Sequence, residues 1–568
     1  MKLRFPVYRS LVLHPVPLAF PLPRKNHSSR ASHQRRSKEK TRPSGNPAMS
    51  TIVANPSETK PAAQQQSASP LFRWIFPFLG VGSLLASCIL WSLRKQMWGD
   101  EVFTATELRD PSLRHLLHAV PHLGGAGMPL FYLTGWPWAH LFGLSDLSLR
   151  LYSSLGVCGA FLILLAAMRR RFSSSAAFLG VAFGFFASLI VLDQNSEARG
   201  YGLYLLLCAL AVAQALKVAE APKPRARDLI LLALTQAGLV LGHILGLVYA
   251  GLILLALLSA DLGQRRFRTR VYLACIAGWL ALVPWIPAIQ ASAAVGRPHG
   301  WIEVPTLSDL AASLSFWLFT GLYWQLPHVP GAVLVAGWLC AVACVAVLVL
   351  ASVPGIKASP EQRPAYLMGF ALLLGPAAFF VVSHLAAPIF LPRYLIPSAL
   401  GISILAVAWA ARSKAGKGTA LTAASFAVLL LPIATALLAR PTGLNVTRVD
   451  QIAAGRPVVC DSLKDFLVMT RYSAHPNLAE YPLDEAAAST APGVDTDVRL
   501  LKNYRREGYL AENLPDPALI LSQKSFLVLD NPAAPWFPIA IEHNPRFTWK
   551  TLAQIDATRR VIEVDQKP

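Results

Sequence analysis

Residues 71–93 read LFRWIFPFLGVGSLLASCILWSL, an apolar run whose only charged residue is Arg73, and residues 94–101 continue as RKQMWGDE. At about 1.5 Å of rise per residue, a helix of that length reaches across the roughly 30 Å hydrocarbon core of a bilayer. The run lacks the apolar/polar alternation of a membrane β-strand, so the reading is a transmembrane helix that delivers Trp98-Gly99-Asp100-Glu101 to the surface beyond it.

Working outward, similar runs occupy about 147–168, 174–192, 201–219, 229–243, 244–260, 271–291, 331–351, 365–386, 394–411 and 419–438. The chain of 568 residues is 54% hydrophobic and 15% charged, with a mean hydropathy of +0.44, a balance that suits a bilayer rather than a water-soluble surface. The net charge of +21 does not indicate a nucleic-acid partner, because it is concentrated in the N-terminal tail and in short loops between apolar runs. Cys88, Cys158, Cys208, Cys275, Cys340 and Cys344 fall inside apolar runs, and Cys460 lies in a polar stretch. Their spacing suits small apolar fillers and gives neither a disulfide framework nor a zinc motif.

Residues 1–70 are rich in Arg, Pro, Ser and Gln and carry no periodicity, as in a disordered basic tail; Met49 is an alternative start. This tail places the N-terminal end of the first span in the cytoplasm. The run 229–260 is flanked by Arg225 and Arg227 before it and by Arg265, Arg266 and Arg268 after it, so it crosses twice or re-enters. With two crossings, Arg169–Arg171, Lys217–Arg227, Arg265–Arg270, Lys357–Arg363 and Arg412–Lys417 all lie on one side, which supports about eleven spans over 71–439. The opposite side receives Asp100, Glu101, the stretch Asp193–Arg199, His243, the 292–330 loop, Arg393 and everything after 440. Residues 102–146, rich in Trp, Tyr, His and Pro, suit short helices lying in the interface. Residues 440–568 lose the apolar runs and alternate short strand-like and helix-like segments, such as 456–461 and 525–530, which predicts a small extracytoplasmic α/β domain.

Several polar residues on that face are able to carry chemistry, and each has a plainer alternative. Adjacent Asp100 and Glu101 do not share a helix face, so one can enter a site while the other makes a second contact; the alternative is ordinary loop charge past a membrane end. In a continuous helix Asp193, Glu197 and Tyr201 share a face while Arg199 points elsewhere; charges at a span end also snorkel without function. Arg199, with its planar fork of donors, is the first choice for a phosphate. Arg393, between Pro392 and Tyr394, is alternatively an interface anchor, and a lone His243 at a loop tip is often structural.

These residues fall within motifs that together resemble the GT-C superfamily of glycosyltransferases, in the branch of protein O-mannosyltransferases and the lipid A aminoarabinose transferase. The likeness is carried in order by Trp98-Gly99-Asp100-Glu101-Val102-Phe103-Thr104, Met128-Pro129-Leu130-Phe131-Tyr132, Leu141-Phe142-Gly143-Leu144-Ser145-Asp146, Leu149-Arg150-Leu151, Arg170-Arg171-Phe172, Asn195-Ser196-Glu197-Ala198-Arg199-Gly200-Tyr201 and Pro392-Arg393-Tyr394-Leu395-Ile396-Pro397. It spans roughly residues 73–410, and the order and placement of the motifs make the set specific.

The resemblance implies a polyprenyl-phosphate-linked sugar donor, a lipid, glycan or protein acceptor, and inversion at the anomeric carbon. It implies Asp100, with Glu101 beside it, at the acceptor as general base or orienting carboxylate, and Arg199 and Arg393 on the donor phosphate. Glu197, Tyr201, Tyr394 and His243 are supporting residues. Where relatives often place a His, an acid or a Lys before the Pro-Leu-Phe-Tyr stretch, this chain has Gly124-Gly125-Ala126-Gly127-Met128. A metal or phosphate contact from that position is missing or comes from His122, and the sequence commits to no divalent cation. The expected setting is a bacterial inner membrane, with the site and the C-terminal domain on the periplasmic side. The rival is a multi-span transporter or flippase, which calls for broken helices and polar residues near the midplane; here the charges gather at span ends and no internal repeat is evident.

Overall fold

The structure is a computed structural model; it describes residues 71–567 apart from 124–127, 297–301, 318–330, 359–360, 413–418, 439–442, 490–493, 532–540 and 542–543. The N-terminal tail and the Gly124–Gly127 departure lie outside the described residues.

Each apolar run expected to cross the membrane forms helix. Five helical segments are long and apolar enough to span on their own: Leu71–Ser92, Asp146–Arg169, Tyr201–Glu220, Thr269–Val295 and Val335–Ile356. Two further spans are broken. Ser174–Phe186 meets Leu189–Asn195 at a 73° bend, and Arg363–Leu373 meets Gly375–Leu385 at 41°. Among the described residues, five helical segments, or seven with each bent pair taken as one span, are long and apolar enough to cross, while Gly246–Leu262, Ser398–Arg412 and Thr422–Leu438 are shorter apolar helices, so length alone does not account for all eleven expected crossings. The first break follows from Ser188, whose extended backbone (φ −89°, ψ 110°) cannot continue a helix. At the second, Gly375 and Pro376 begin a new helix, and proline offers no N–H to the preceding turn.

Another expectation fails at residues 193–201. They do not form one helix: Leu189–Asn195 ends, a turn intervenes, and Tyr201–Glu220 begins. The Ser196 hydroxyl donates back to the Asp193 carbonyl at 3.1 Å, so a side chain competes with the helical ladder there. Asp193, Glu197 and Tyr201 therefore do not share a helical face.

Helices Asp146–Arg169 and Tyr201–Glu220 pack with their backbones in contact. A methyl group added at Gly202 would overlap the Ser153 carbonyl, and one at Gly156 would overlap the backbone of Gly202. Small residues permit such close approach, which is how membrane helices gain packing energy when lipid is as apolar as their side chains.

Past the last span, the chain forms a mixed five-stranded sheet from β1 (Val458–Cys460), β2 (Ala479–Glu480), β3 (Ser525–Asp530), β4 (Phe547–Gln554) and β5 (Arg560–Gln566). Its order is β2-β1-β3-β5-β4: β2, β1 and β3 run parallel, and β5 and β4 are antiparallel additions. β1 and β3 are where the sequence places strands. This sheet domain does not stand apart from the membrane region. Phe466, Leu467, Val498, Leu501 and Tyr504 share one apolar core with Val102, Phe103, Leu108, Leu116, Phe131 and Tyr132 of the first outer segment.

The glycine contact has a measurable consequence. Gly202→Ala is expected to cost about 1–3 kcal/mol through overpacking, seen as a lower melting midpoint of the detergent-purified protein. Gly82→Ala, where the added carbon meets nothing within 4 Å, is expected to leave the midpoint unchanged. Equal midpoints for the two variants would remove the close contact from the account of stability.

Candidate active site

The first helix past the first span, Gly99–Leu108, called the outer helix after the face the sequence assigns it, starts at Trp98, and its register is set by Glu101. The Glu101 carboxylate accepts the Trp98 backbone N–H at 3.2 Å, the reach-back half of a capping box. It also accepts Arg150 Nε at 2.8 Å and Nη2 at 2.9 Å, and the backbone N–H of Ala198 at 2.8 Å. Arg150 donates in addition to the Lys95 carbonyl at 2.8 Å. Neither Glu101 nor Arg150 has any exposed side-chain surface. Glu101 thus ties the end of the first span, the helix Asp146–Arg169 and the 196–200 turn to one point.

The structure separates the two expected catalytic acids. Glu101 is enclosed and fully engaged, with no side-chain surface open to a substrate in this arrangement. Asp100, one residue earlier and rotated about 100° around the helix, faces elsewhere. Its carboxylate lies 3.4 Å from Arg393 Nη1 and 3.8 Å from Arg199 Nη2, and it remains partly exposed. Arg199 is steadied by the Asp100 carbonyl and the Thr104 hydroxyl, both at 3.1 Å from Nη1. The Arg393 guanidinium stands 5.4 Å from the Trp98 ring and 5.6 Å from the Tyr394 ring, within cation–π range. Three segments far apart in sequence converge here, with one carboxylate set between two guanidiniums.

Each segment also brings a helix N-terminus. Asp100 lies in the first turn of Gly99–Leu108, Arg199 just precedes Tyr201–Glu220, and Arg393 sits in the turn Pro392–Leu395 that leads into Ser398–Arg412. Helix N-termini carry partial positive charge, so both the backbone and the side chains favour an anion.

The supporting residues form two groups. Tyr201, Tyr394 and His243 make an aromatic wall: His243 stacks on Tyr204 at 4.5 Å between centroids and lies 5.6 Å from Tyr201 and 5.7 Å from Tyr394. The His243 Nδ1 accepts the Leu245 N–H at 3.2 Å. His243 is therefore a neutral ring and not a third cation. In the second group, Glu197 accepts from Lys95 at 3.0 Å, and Asp193 stands 3.9 Å from the same ammonium. Burial pushes the Glu197 carboxyl up, against the pull of the Lys95 ammonium.

The C-terminal domain closes on this region through the outer helix. Glu107 accepts the hydroxyl of Tyr132 at 2.8 Å and that of Tyr504, and burial raises its carboxyl. Tyr509 donates to Asp110, and Phe103 packs on the Tyr504 ring with centroids 4.7 Å apart. At the far end of the segment, Arg471 and Tyr472 both bind the Asp146 carboxylate, and the Met97 N–H donates to the Tyr472 hydroxyl at 2.7 Å.

Sequence reasoning gave no role to Arg150, Lys95 or Glu107. Arg150 carried a signal, since an arginine inside an apolar run demands a buried partner. Tyr504 and Tyr509 carried none, because their partners are fixed only by how the two regions dock.

No protein-family model and no curated protein matches the chain. Solved structures do. ArnT from Cupriavidus metallidurans in the apo state aligns over 86% of this chain and 97% of its own, at 13% identity and a TM-score of 0.41. The same protein bound to undecaprenyl phosphate gives 86%, 97%, 12% and 0.43. The archaeal oligosaccharyltransferase AglB from Archaeoglobus fulgidus, in complex with an inhibitory peptide and a dolichol-phosphate, aligns over 85% of this chain and 74% of its own, at 10% identity and a TM-score of 0.41.

Proposed function

We propose that this protein is a membrane glycosyltransferase that moves a sugar from a polyprenyl-phosphate-linked donor to a lipid, glycan or protein acceptor on the extracytoplasmic face, with inversion. The observation that carries the reading is the Asp100 carboxylate within ion-pair distance of both Arg199 and Arg393. One acid between two guanidiniums leaves a formal surplus of one positive charge, and three helix N-termini point the same way. A phosphodiester supplies the missing anion. The ordered motifs of residues 98–104, 195–201 and 392–397 supply the sugar-transfer chemistry by resemblance.

In this reading, the donor phosphate takes the guanidinium donors that Asp100 now shares, which frees the carboxylate for the acceptor. Asp100 accepts the acceptor hydroxyl proton as the oxygen attacks the anomeric carbon from the face opposite the phosphate. The bond from the anomeric carbon to the phosphate oxygen breaks, and its electron pair leaves on the phosphate. Arg199 and Arg393 stabilise that gain of charge in a site of low dielectric. Trp98 and Tyr394 hold Arg393 in place, while Tyr201 and neutral His243 offer flat faces to the donor. Glu197, held by Lys95, steadies the turn that carries Arg199. The residues present assign no metal to this centre.

A transporter is the second reading. The Asp100 cluster at helix N-termini, together with a sheet domain sharing its core with the outer helix, suits chemistry at a surface better than passage through a midplane. We retain about eleven crossings over 71–439 by adding to the five long and two bent spans the three shorter apolar helices and the helix Ala226–Gly242, with 440–568 as an extracytoplasmic domain for the acceptor, in a bacterial inner membrane. The basic loops support that orientation.

Two experiments test the proposal. In purified, folded protein, Asp100→Asn is expected to lower transfer at least ~10²-fold, and Arg199→Gln or Arg393→Gln to cost roughly 2–4 kcal/mol in transition-state stabilisation with partial rescue by lysine. Glu101→Gln should chiefly reduce folded yield, because it weakens the partner of a buried arginine. Normal turnover in Asp100→Asn, or unchanged rate and donor affinity in both Gln variants, would refute the assignment. For topology, single cysteines near residue 500 should react with an impermeant maleimide from outside whole cells, and cysteines near residue 223 should not; the reverse pattern overturns the orientation.

A further inference from the structure

A second cluster of chemistry-bearing residues lies where the first outer segment meets the C-terminal domain. His118 falls in the helix Leu113–Ala119, and His122 ends the turn Val120–His122 that continues it. Four residues apart, their rings meet edge to face with centroids 5.6 Å apart. Glu507 approaches from the other side, just past the helix Val494–Arg506, where Gly508 turns the chain with φ +84°. One ligand-competent atom from each of His118, His122 and Glu507 lies within 4.8 Å of the other two.

We propose that His118, His122 and Glu507 form a divalent transition-metal site, of the zinc class, that fastens the C-terminal domain to the first outer segment. Two imidazoles and a carboxylate are a donor set that zinc accepts, with one position left for water. At bond lengths near 2.0–2.1 Å, tetrahedral ligand atoms stand about 3.3–3.5 Å apart. His122 Nδ1 and Glu507 Oε1 are already separated by 3.4 Å. His118 is exposed, and its ligand atom lies within 4.8 Å of the other two.

A second observation points to a ligand. The His122 Nδ1 atom is buried and, Glu507 aside, has no hydrogen-bond partner; the Glu507 contact itself lacks hydrogen-bond geometry. A buried imidazole nitrogen facing a carboxylate without a proper bond is a lone pair available for a cation. Arg506 Nε also holds Glu507 Oε1 at 3.2 Å, but Arg506 is largely exposed and does not enclose the carboxylate. The neighbouring His115 is not available, since it is bound to Asp110.

The position is held from both sides before any ion arrives. Asn503 donates to the His122 carbonyl at 2.9 Å, Tyr504 to Glu107 and Tyr509 to Asp110. All of these come from the same helix end as Glu507. An ion there adds a coordinate link to a set of hydrogen bonds, and removing it loosens the domain that rests on the Asp100 helix. The site does not depend on the proposed sugar transfer, since none of its ligands touches the Asp100 cluster.

The test uses the full chain in detergent, stripped with chelator and titrated with zinc ion alone by calorimetry. One zinc per chain is expected to bind to the native protein. His118→Ala, an exposed change that leaves folding intact, and Glu507→Gln are each expected to weaken that step by roughly tenfold or more. Zinc should raise the melting midpoint of the native protein and slow tryptic release of the C-terminal domain, with neither effect in His118→Ala. Absence of a stoichiometric step, or equal affinity and equal proteolysis in the native protein and both variants, would overturn the proposal and leave His122 and Glu507 as an ordinary ion pair.

Discussion

The enclosed ion pair between Glu101 and Arg150 is the constraint from which the rest of the outer face follows. Two charges removed from water are costly unless every donor and acceptor is satisfied. Here the carboxylate accepts from Arg150, Trp98 and Ala198, and the guanidinium also reaches the Lys95 carbonyl. Those partners come from the end of the first span, the start of the outer helix, the next long helix and the turn before Tyr201. Satisfying one charge pair thus fixes four chain segments, and Asp100 and Arg199 are each one residue from a member of the set.

How much of this the amino-acid sequence carried depends on whether the signal was local. Helical spans were legible because an apolar run of membrane length has few other outcomes. Asp100, Arg199 and Arg393 were legible because charge at a span end is conspicuous against an apolar background. Glu101 was not told apart from Asp100 because adjacent acids look equivalent in a string; only the buried partner, Arg150, distinguishes them. The bent spans escaped notice because Ser188 and Gly375 are common in membrane helices, and a break depends on what the freed backbone groups find nearby. The turn at 196–200 was hidden for the same reason, since Ser196 competes for a carbonyl rather than breaking any composition rule.

The C-terminal domain illustrates a further limit. Its strands follow from alternation and β-branched content, yet its most consequential residues, Tyr504 and Tyr509, are ordinary members of a helix end and a turn. Their importance comes from Glu107 and Asp110, the buried carboxylates that accept their hydroxyls. Each side supplies the polar partners that the other would otherwise bury unsatisfied, so the sheet domain and the outer helix share one core rather than meeting as finished bodies.

The glycine contact between the two long helices bears on catalysis as well as on packing. Side chains between helices act as springs, whereas a backbone resting on a backbone has almost no travel. With Gly202 lodged against Ser153, the helix that begins just after Arg199 cannot slide along the helix that carries Arg150. For the proposed transfer, charges held this stiffly would rearrange little as charge moves from an attacking oxygen to a departing phosphate. In the language of electron and proton transfer, such a site would have a low reorganisation energy, supplied during folding at residues away from the substrate.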